Sequence, residues 1–353
     1  LLKNRLTRKV DRSEYVPGNE RRFLKREGED IFNTWRPCGV GAELGDASII
    51  LDHLEYLFGQ TRERDHFLNC LASLVQRPAD KIKHVLLIIG KQGTGKSFLA
   101  RLLENMVGKS NVKIANSDVL ISEWTENLLD CQVLVLEEVM TKGRKEVYNR
   151  MKTWVTDETS KSNQKNKRIR DAATPRLVIA FSNHPVPVSL ESGDRRFFVV
   201  RRDVEPRDKA YYARLFGEGM SQVPAFLHHL KTRDISSFHP SAHPPVTDAK
   251  EELIADALPR AEVALRELID RDDPMLKQDV LPFSRIKQVI SFNVFGVTDN
   301  QVKEALRAIG AVSLGQVRLG NGCRERLWAI RNVERWKVAS PDDLRTYVSA
   351  SRA

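Results

Sequence analysis

The sequence has 353 residues, enough for two or three domains with proper cores. Lysine and arginine total 57 against 47 aspartate and glutamate, and the resulting charge of +10 suits an anionic polymer as partner. No apolar stretch reaches the length of a membrane-spanning helix and no signal peptide is evident, which argues against a membrane partner and predicts a soluble intracellular protein. Cys38, Cys70, Cys131 and Cys323 lack C-x-x-C spacing, so buried free thiols are expected rather than disulfides or zinc. The chain opens on Leu1-Leu2, which leads us to expect a portion of a longer protein.

In chain order, residues 1–30 are densely charged with mixed signs and read as a solvated lead-in, partly helical. Pro37 and three glycines make 31–46 a loop or short extended segment. Ser48 to Val75 carries apolar residues at helical spacing and predicts two amphipathic helices broken near Gly59.

Val85 to Ile89 is a continuous apolar run rich in branched residues, which suits a strand buried on both faces of a parallel sheet. Gly90-Lys-Gln-Gly-Thr-Gly-Lys-Ser97 follows and matches G-x-x-x-x-G-K-[ST] without a gap. Apolar residues from Phe98 to Val107 then recur at helical spacing before Gly108. Strand, glycine loop and helix are the context the motif requires. Gly90, Gly93 and Gly95 permit the tight turn that aims backbone N–H groups at phosphate oxygens. With Gln92 and Thr94 they form the loop in which Lys96 neutralises phosphates and Ser97 ligates Mg²⁺. These residues predict binding of a nucleoside triphosphate.

A short strand is expected at 111–115 and a short helix at 123–129. Val133 to Leu136 reads as a second buried parallel strand, ending in Glu137-Glu138. Carboxylates at the carboxyl end of such a strand face the ligand crevice of an open α/β sheet. Glu137 can hold Mg²⁺ and Glu138 can orient and deprotonate the attacking water. After a helix at 145–155, the stretch from Lys161 to Arg170 holds five basic residues and no acidic one. Its polar flanks predict a loop or hairpin that contacts nucleic acid phosphates through Lys165, Lys167, Arg168 and Arg170. The strand 177–181 ends in Ser182-Asn183. The Asn183 amide can bond a γ-phosphate or the attacking water, a role compatible with a simple turn before Pro185. Gly193-Asp-Arg-Arg196 offers Arg195 or Arg196 to stabilise the transferred phosphoryl, or an ordinary surface pair.

Residues 205–230 read as helical. His239 and His243 have metal spacing for a helix, but Pro240, Pro244 and Pro245 forbid one there, and 239–246 reads as a stiff linker. Beyond it, an amphipathic helix at 251–271 and a helix capped by Thr298 precede strands at 317–319 and 327–330, joined by a hairpin turn. Helices followed by a hairpin bearing Arg318, Arg324 and Arg326 suggest a winged-helix-like α+β domain, with DNA contact and protein contact left equally open.

The ordered set of phosphate loop, strand ending Glu-Glu, basic hairpin, strand ending Asn and Asp-Arg-Arg resembles the superfamily 3 helicases, a branch of the AAA+ ATPases. Phe32-Asn-Thr-Trp-Arg-Pro37 and Val75-Gln-Arg-Pro78 resemble more narrowly the helicase part of phage and poxvirus-type primase-helicases. The resemblance covers about residues 30–205. With the readings on either side of it, the expected order is a lead-in and helical segment (1–79), the AAA+ core that the resemblance implies (80–205), a helical extension and linker (206–246) and a winged-helix-like domain (247–353). The resemblance also implies a homo-oligomeric ring, a hexamer, with ATP and Mg²⁺ at subunit interfaces. Lys96 and Ser97 become the Walker A pair, Glu137 and Glu138 the Walker B pair, and Asn183 the sensor. Arg195 or Arg196 becomes an arginine finger given in trans, and Lys165 the hairpin lysine, although Asn166 stands where a glycine is common. The implied activity is ATP-driven 3′-to-5′ translocation on single-stranded DNA, unwinding forked or duplex substrates. A primase or polymerase domain upstream is implied with it, in a phage, plasmid or mobile element. A DNA-binding AAA+ loader without processive unwinding, and an RNA-directed ATPase, remain open alternatives.

Overall fold

The computed structural model describes residues 8–59, 61–116, 119, 128–139, 145–162, 170–188, 190, 193–255, 257–319 and 323–350. They fall into two compact units, one drawn from Leu1–Met140, Glu146–Pro187 and Arg195–Ala249, the other from Thr141–Lys145, Val188–Asp194 and Lys250–Ala353.

The first unit opens with β1 (Arg12–Glu14), β2 (Phe23–Arg26) and β3 (Glu29–Asn33), a small sheet in the order β1-β3-β2. This corrects the expectation of a partly helical lead-in, whose residues from 8 to 30 are mostly exposed as expected. The cause is local: Glu27 (φ 53°) and Gly28 (φ 91°) form a two-residue turn with both φ values positive, the geometry that closes a tight hairpin between β2 and β3. Asn33 is buried, and its amide bonds the backbone of Val16, Asn19 and Trp35. Trp35 Nε1 donates to Gln132 Oε1 (3.0 Å) and Tyr15 Oη to Asn111 Oδ1 (2.8 Å), so this segment, though largely exposed, is tied to the larger sheet.

Helices α1 (Ser48–Phe58) and α2 (Arg62–Gln76) follow, parted at Gly59 as the periodicity predicts. Then come β4 (Val85–Ile89), α3 (Lys96–Val107), β5 (Val112–Asn116) and β6 (Val133–Glu137). The helix expected at 123–129 falls mostly outside the described residues. Helix α4 (Lys145–Thr156) precedes an antiparallel pair, β7 (Thr159–Ser162) and β8 (Arg170–Ala173), and then β9 (Leu177–Ser182) and β10 (Phe197–Arg201).

Strands β4, β5, β6, β9 and β10 form one parallel sheet in the order β10-β4-β9-β6-β5. All five residues of β4 are buried, as are all six of β9, which explains their unbroken apolar sequences. Each such side chain contributes on the order of 1.5–3 kcal/mol of burial. The expected helix over 205–230 is interrupted. Asp208 caps α5 (Lys209–Arg214), a π-helical turn spans Leu215–Gly219, and α6 (Val223–Thr232) packs Phe226, Leu227 and Leu230 into the core shared with α1, α2 and α3. Gly217, Gly219 and Pro224 account for the break.

The chain enters the second unit within α7 (Asp248–Ala255), followed by α8 (Ala257–Asp270), so two helices stand where one was expected. Next are β11 (Val280–Pro282), α9 (Phe283–Asn293), α10 (Asp299–Ala308), β12 (Val312–Arg318) and β13 (Arg324–Ala329). α11 (Val333–Lys337) and α12 (Pro341–Ala350) end the chain. The three strands pair antiparallel in the order β11-β13-β12. Thr298 and Gln301 form the capping box of α10, as the Thr298 position predicts. Among the described residues no helix is long and apolar enough to cross a membrane.

Candidate nucleotide site

The phosphate loop leaves the carboxyl end of β4 and feeds α3. Gly93 (φ 80°) and Gly95 (φ 89°) both occupy the left-handed region, and a Cβ on Gly95 would lie 2.6 Å from His53 Cε1. Only glycine fits there. Thr94 Oγ1 donates to Lys91 O (2.9 Å) and braces the loop from inside. Lys96 Nζ donates to Gly90 O and Lys91 O, both at 2.7 Å, so its ammonium is held across the loop mouth. Burial pulls this lysine down to about 8.

Because β9 lies between β4 and β6, the carboxyl ends of three adjacent parallel strands deliver three motifs to one place. A cleft of about 230 Å³ is lined by Gln92, Gly93, Gly95, Lys96 and Ser97 from the loop, Glu137 and Glu138 from β6, and Ser182 and Asn183 from β9. Ser97, Glu138 and Asn183 are exposed towards it. Glu138 has φ 53°, a conformation that costs a non-glycine residue on the order of 1–3 kcal/mol and marks functional turns. Two bonds hold this turn: Val139 N donates to Phe181 O, and Ser182 Oγ donates to Val139 O, both at 2.9 Å. An oxygen-rich pair, the Ser97 hydroxyl and the Glu137 carboxylate, shares the cleft with the N-terminus of a 12-residue helix. That donor chemistry fits Mg²⁺ with a phosphate chain.

Two residues behind the loop escaped the sequence reading. His53 Nδ1 meets Tyr211 Oη at 2.9 Å and its Nε2 meets Gly95 O at 3.3 Å. Burial lowers His53 to about 4, so the ring is neutral, and a carbonyl only accepts. Nε2 therefore carries the proton and Tyr211 donates to Nδ1. A polar histidine on the apolar face of α1 was the available signal. Arg201 and Arg202, at the loop end of β10, also went unremarked. Arg202 N donates to Ile89 O (3.1 Å), and its own carbonyl would lie 3.1 Å from a Cβ on Gly90.

Arg195 and Arg196 are not in the cleft. They precede β10, whose first residue, Phe197, pairs with Val85 at the start of β4, and Arg196 O accepts from Val85 N (2.8 Å). The pair thus sits at the amino end of the sheet, roughly 17 Å from the phosphate loop along a five-residue strand. Asp194 is a buried anchor: Lys250 Nζ donates to its carbonyl (2.6 Å) and lies 3.7 Å from its carboxylate. Of the basic hairpin, β7 and β8 form the stem, whereas Lys165, Lys167 and Arg168 lie outside the described residues. Arg170 is in the stem and pairs with Asp130, and Lys161 pairs with Asp171 (2.9 Å). Among the cysteines, Cys70 and Cys131 are buried as expected, but Cys323 is exposed and Cys38 half-buried.

Residues 88–201, which run from β4 to the end of β10, match the model of a family of unknown function (DUF5906). Over 140 residues the chain is 36% identical to the DNA primase-polymerase of Nitratiruptor phage NrS-1. That alignment takes in 38% of this chain and only 19% of the phage protein's length. The fold resembles the apo structure of the NrS-1 C-terminal region with a TM-score of 0.62 at 21% identity, covering 90% of this chain and 84% of that one. A second apo structure of that region, its A form, gives 0.60 at 20%. The chain is thus homologous to a phage primase-polymerase and shares the fold of its C-terminal region.

Proposed function

We propose that this chain is the ATP-hydrolysing motor of a phage-type replication protein, an AAA+ helicase module of superfamily 3 type working on single-stranded DNA. The observation that carries the reading is the convergence of Lys96, Ser97, Glu137, Glu138 and Asn183 on one cleft at the carboxyl ends of β4, β6 and β9. The loop amides and the Lys96 ammonium bind and orient the β- and γ-phosphates. Ser97 and Glu137 hold Mg²⁺, which when bound neutralises charge on the phosphate chain. Glu138 takes the proton of the attacking water, and Asn183 fixes that water or the γ-phosphate by hydrogen bonding.

The placement of Arg195 and Arg196 supports an oligomer. At the far end of the sheet they cannot serve their own chain's cleft, so a finger role requires a neighbouring copy, as in a hexameric ring. In the second unit the order α8, β11, α9, α10, β12, β13 supports the winged-helix reading, with Arg318, Arg324 and Arg326 exposed on its hairpin. Similarity to a DNA primase-polymerase supports DNA as the polymer.

The test is ATP hydrolysis with and without single-stranded DNA, on the wild type, on Lys96→Ala and on a variant neutralised at Lys165, Lys167, Arg168 and Arg170. Hydrolysis lost in Lys96→Ala, and DNA stimulation lost in the hairpin variant, are the expected results. Hydrolysis indifferent to DNA would overturn the translocase and favour the loader.

A further inference from the structure

His66 and Cys70 lie one helical turn apart on α2, a spacing that puts both side chains on one face. His84 is the residue immediately before β4. The structure brings the three together: Nε2 of His66 lies 2.9 Å from Nε2 of His84, and Cys70 Sγ lies 3.9 Å from the same nitrogen. All three donor atoms fall within 4.8 Å of one another. Cys70 and His84 are buried and His66 is half-buried. The rings of Phe198 and Phe238 flank His66, with centroids 4.4 and 5.8 Å from its own.

We propose that His66, Cys70 and His84 form a binding site for one Zn²⁺-class transition-metal ion, which staples α2 to the amino end of the phosphate-loop strand. Two imidazoles and a thiolate are a borderline-soft donor set of the kind zinc selects over magnesium or calcium. The fit is close in distance. Around a tetrahedral zinc, two ligating nitrogens stand about 3.4 Å apart, and a nitrogen and a sulfur about 3.6 Å. From the observed 2.9 and 3.9 Å, the histidine pair opens by about 0.5 Å and the Cys70–His84 pair closes by about 0.3 Å, while the His66–Cys70 pair, within 4.8 Å, closes by at most about 1.2 Å, all within reach of side-chain rotations. Three protein ligands leave a fourth position, which water reaches from the half-exposed His66 side.

The chemistry of the resident groups agrees. Burial drives His66 down to about 4 and pushes the Cys70 thiol up, and the two Nε2 atoms stand at hydrogen-bonding distance, 2.9 Å. Coordination through both Nε2 atoms leaves each ring proton on Nδ1 and requires Cys70 as the thiolate, so the thiol proton is released when the ion binds. Because β4 is five residues long, the ion would lie roughly 17 Å from the phosphate loop. It is a structural ion, separate from the Mg²⁺ of the nucleotide cleft. Sequence screening for C-x-x-C spacing misses it because the ligands read H-x₃-C-x₁₃-H.

The probe is Co²⁺, a spectroscopic substitute for Zn²⁺, titrated into the whole chain after chelation. The site predicts uptake of one equivalent with a thiolate-to-cobalt charge-transfer band, bleached by one equivalent of Zn²⁺. Zn²⁺ should also raise Tm by about 5 °C. Cys70→Ala should abolish the band and weaken binding at least about tenfold. His66→Gln, at a half-exposed position that preserves the fold, should weaken binding likewise, with ATP affinity unchanged. The proposal is overturned if the wild type takes up no stoichiometric Co²⁺. It is equally overturned if the band survives in Cys70→Ala, which would assign it to Cys38 or Cys323, or if His66→Gln binds as the wild type does.

Discussion

Ser182 Oγ donates to the carbonyl of Val139 at 2.9 Å, and through that bond the turn after the acidic strand is fastened to the turn that carries Asn183. The same hydroxyl accepts from His184 N at 3.0 Å, so one buried oxygen fixes both loops. Replacing it by alanine leaves a buried carbonyl and an N–H without this partner, at about 1–3 kcal/mol. If Glu138, whose turn this bond holds, deprotonates the attacking water as proposed, Ser182→Ala should lower kcat for ATP about tenfold or more with little change in nucleotide Kd. Equal loss in Kd and kcat would show that the bond serves binding instead.

Glu138 combines a left-handed backbone with a carboxylate facing the cleft. Asparagine tolerates that backbone better than glutamate does, yet it cannot accept a proton. Glu138→Asn should therefore keep or raise Tm while hydrolysis falls by about 10²–10⁴. A variant that loses stability as well would contradict the assignment of strain to function at this turn.

Lys96 gives a pH signature. Burial holds it at about 8, whereas contact with phosphates favours its charged form. Below pH 8 the ammonium is already charged and binding takes up no proton. Above pH 8 the neutral amine must first be protonated, so binding consumes a proton and affinity falls with rising pH. Nucleotide Kd should rise up to about tenfold per pH unit between about 8 and 10. Lys96→Arg, always charged, should flatten this slope whatever its absolute affinity. A wild-type Kd independent of pH across that window would place the lysine away from the phosphates.

The parts of the cleft legible in the sequence were those that follow from local composition. Val85–Ile89 and Val133–Leu136 had to be strands buried on both faces, and Gly90–Ser97 had to turn tightly before α3. What a linear sequence does not carry is strand order. The insertion of β9 between β4 and β6 decides that Asn183 faces both motifs, and the same parallel register removes Arg195 and Arg196 to the far end. His53 was missed because its partners, Gly95 and Tyr211, lie 42 and 158 positions away. The lead-in was misjudged for a local reason: its charges are the exposed faces of a hairpin, and the Glu27-Gly28 turn was the signal that outranked them.

The position of the arginine pair yields the sharpest test of assembly. Arg196 O accepts from Val85 N at the opposite end of β4 from the loop, so a chain cannot place either guanidinium in its own cleft. If one of them stabilises the transferred phosphoryl, it does so across an interface. Arg195→Ala or Arg196→Ala should then lose turnover by about 10³ or more while binding ATP normally. Glu138→Gln fails for the opposite reason, keeping its arginines and losing its base. Mixing the two defective proteins creates interfaces that join an intact Glu138 to intact arginines. Activity should reappear, reach a maximum near equal proportions and vanish when the protein is too dilute to assemble. Mixtures inactive at every ratio, with assembly verified by light scattering, would remove the arginine pair from catalysis and leave Arg201 and Arg202, at the loop end of β10, as the arginines to examine.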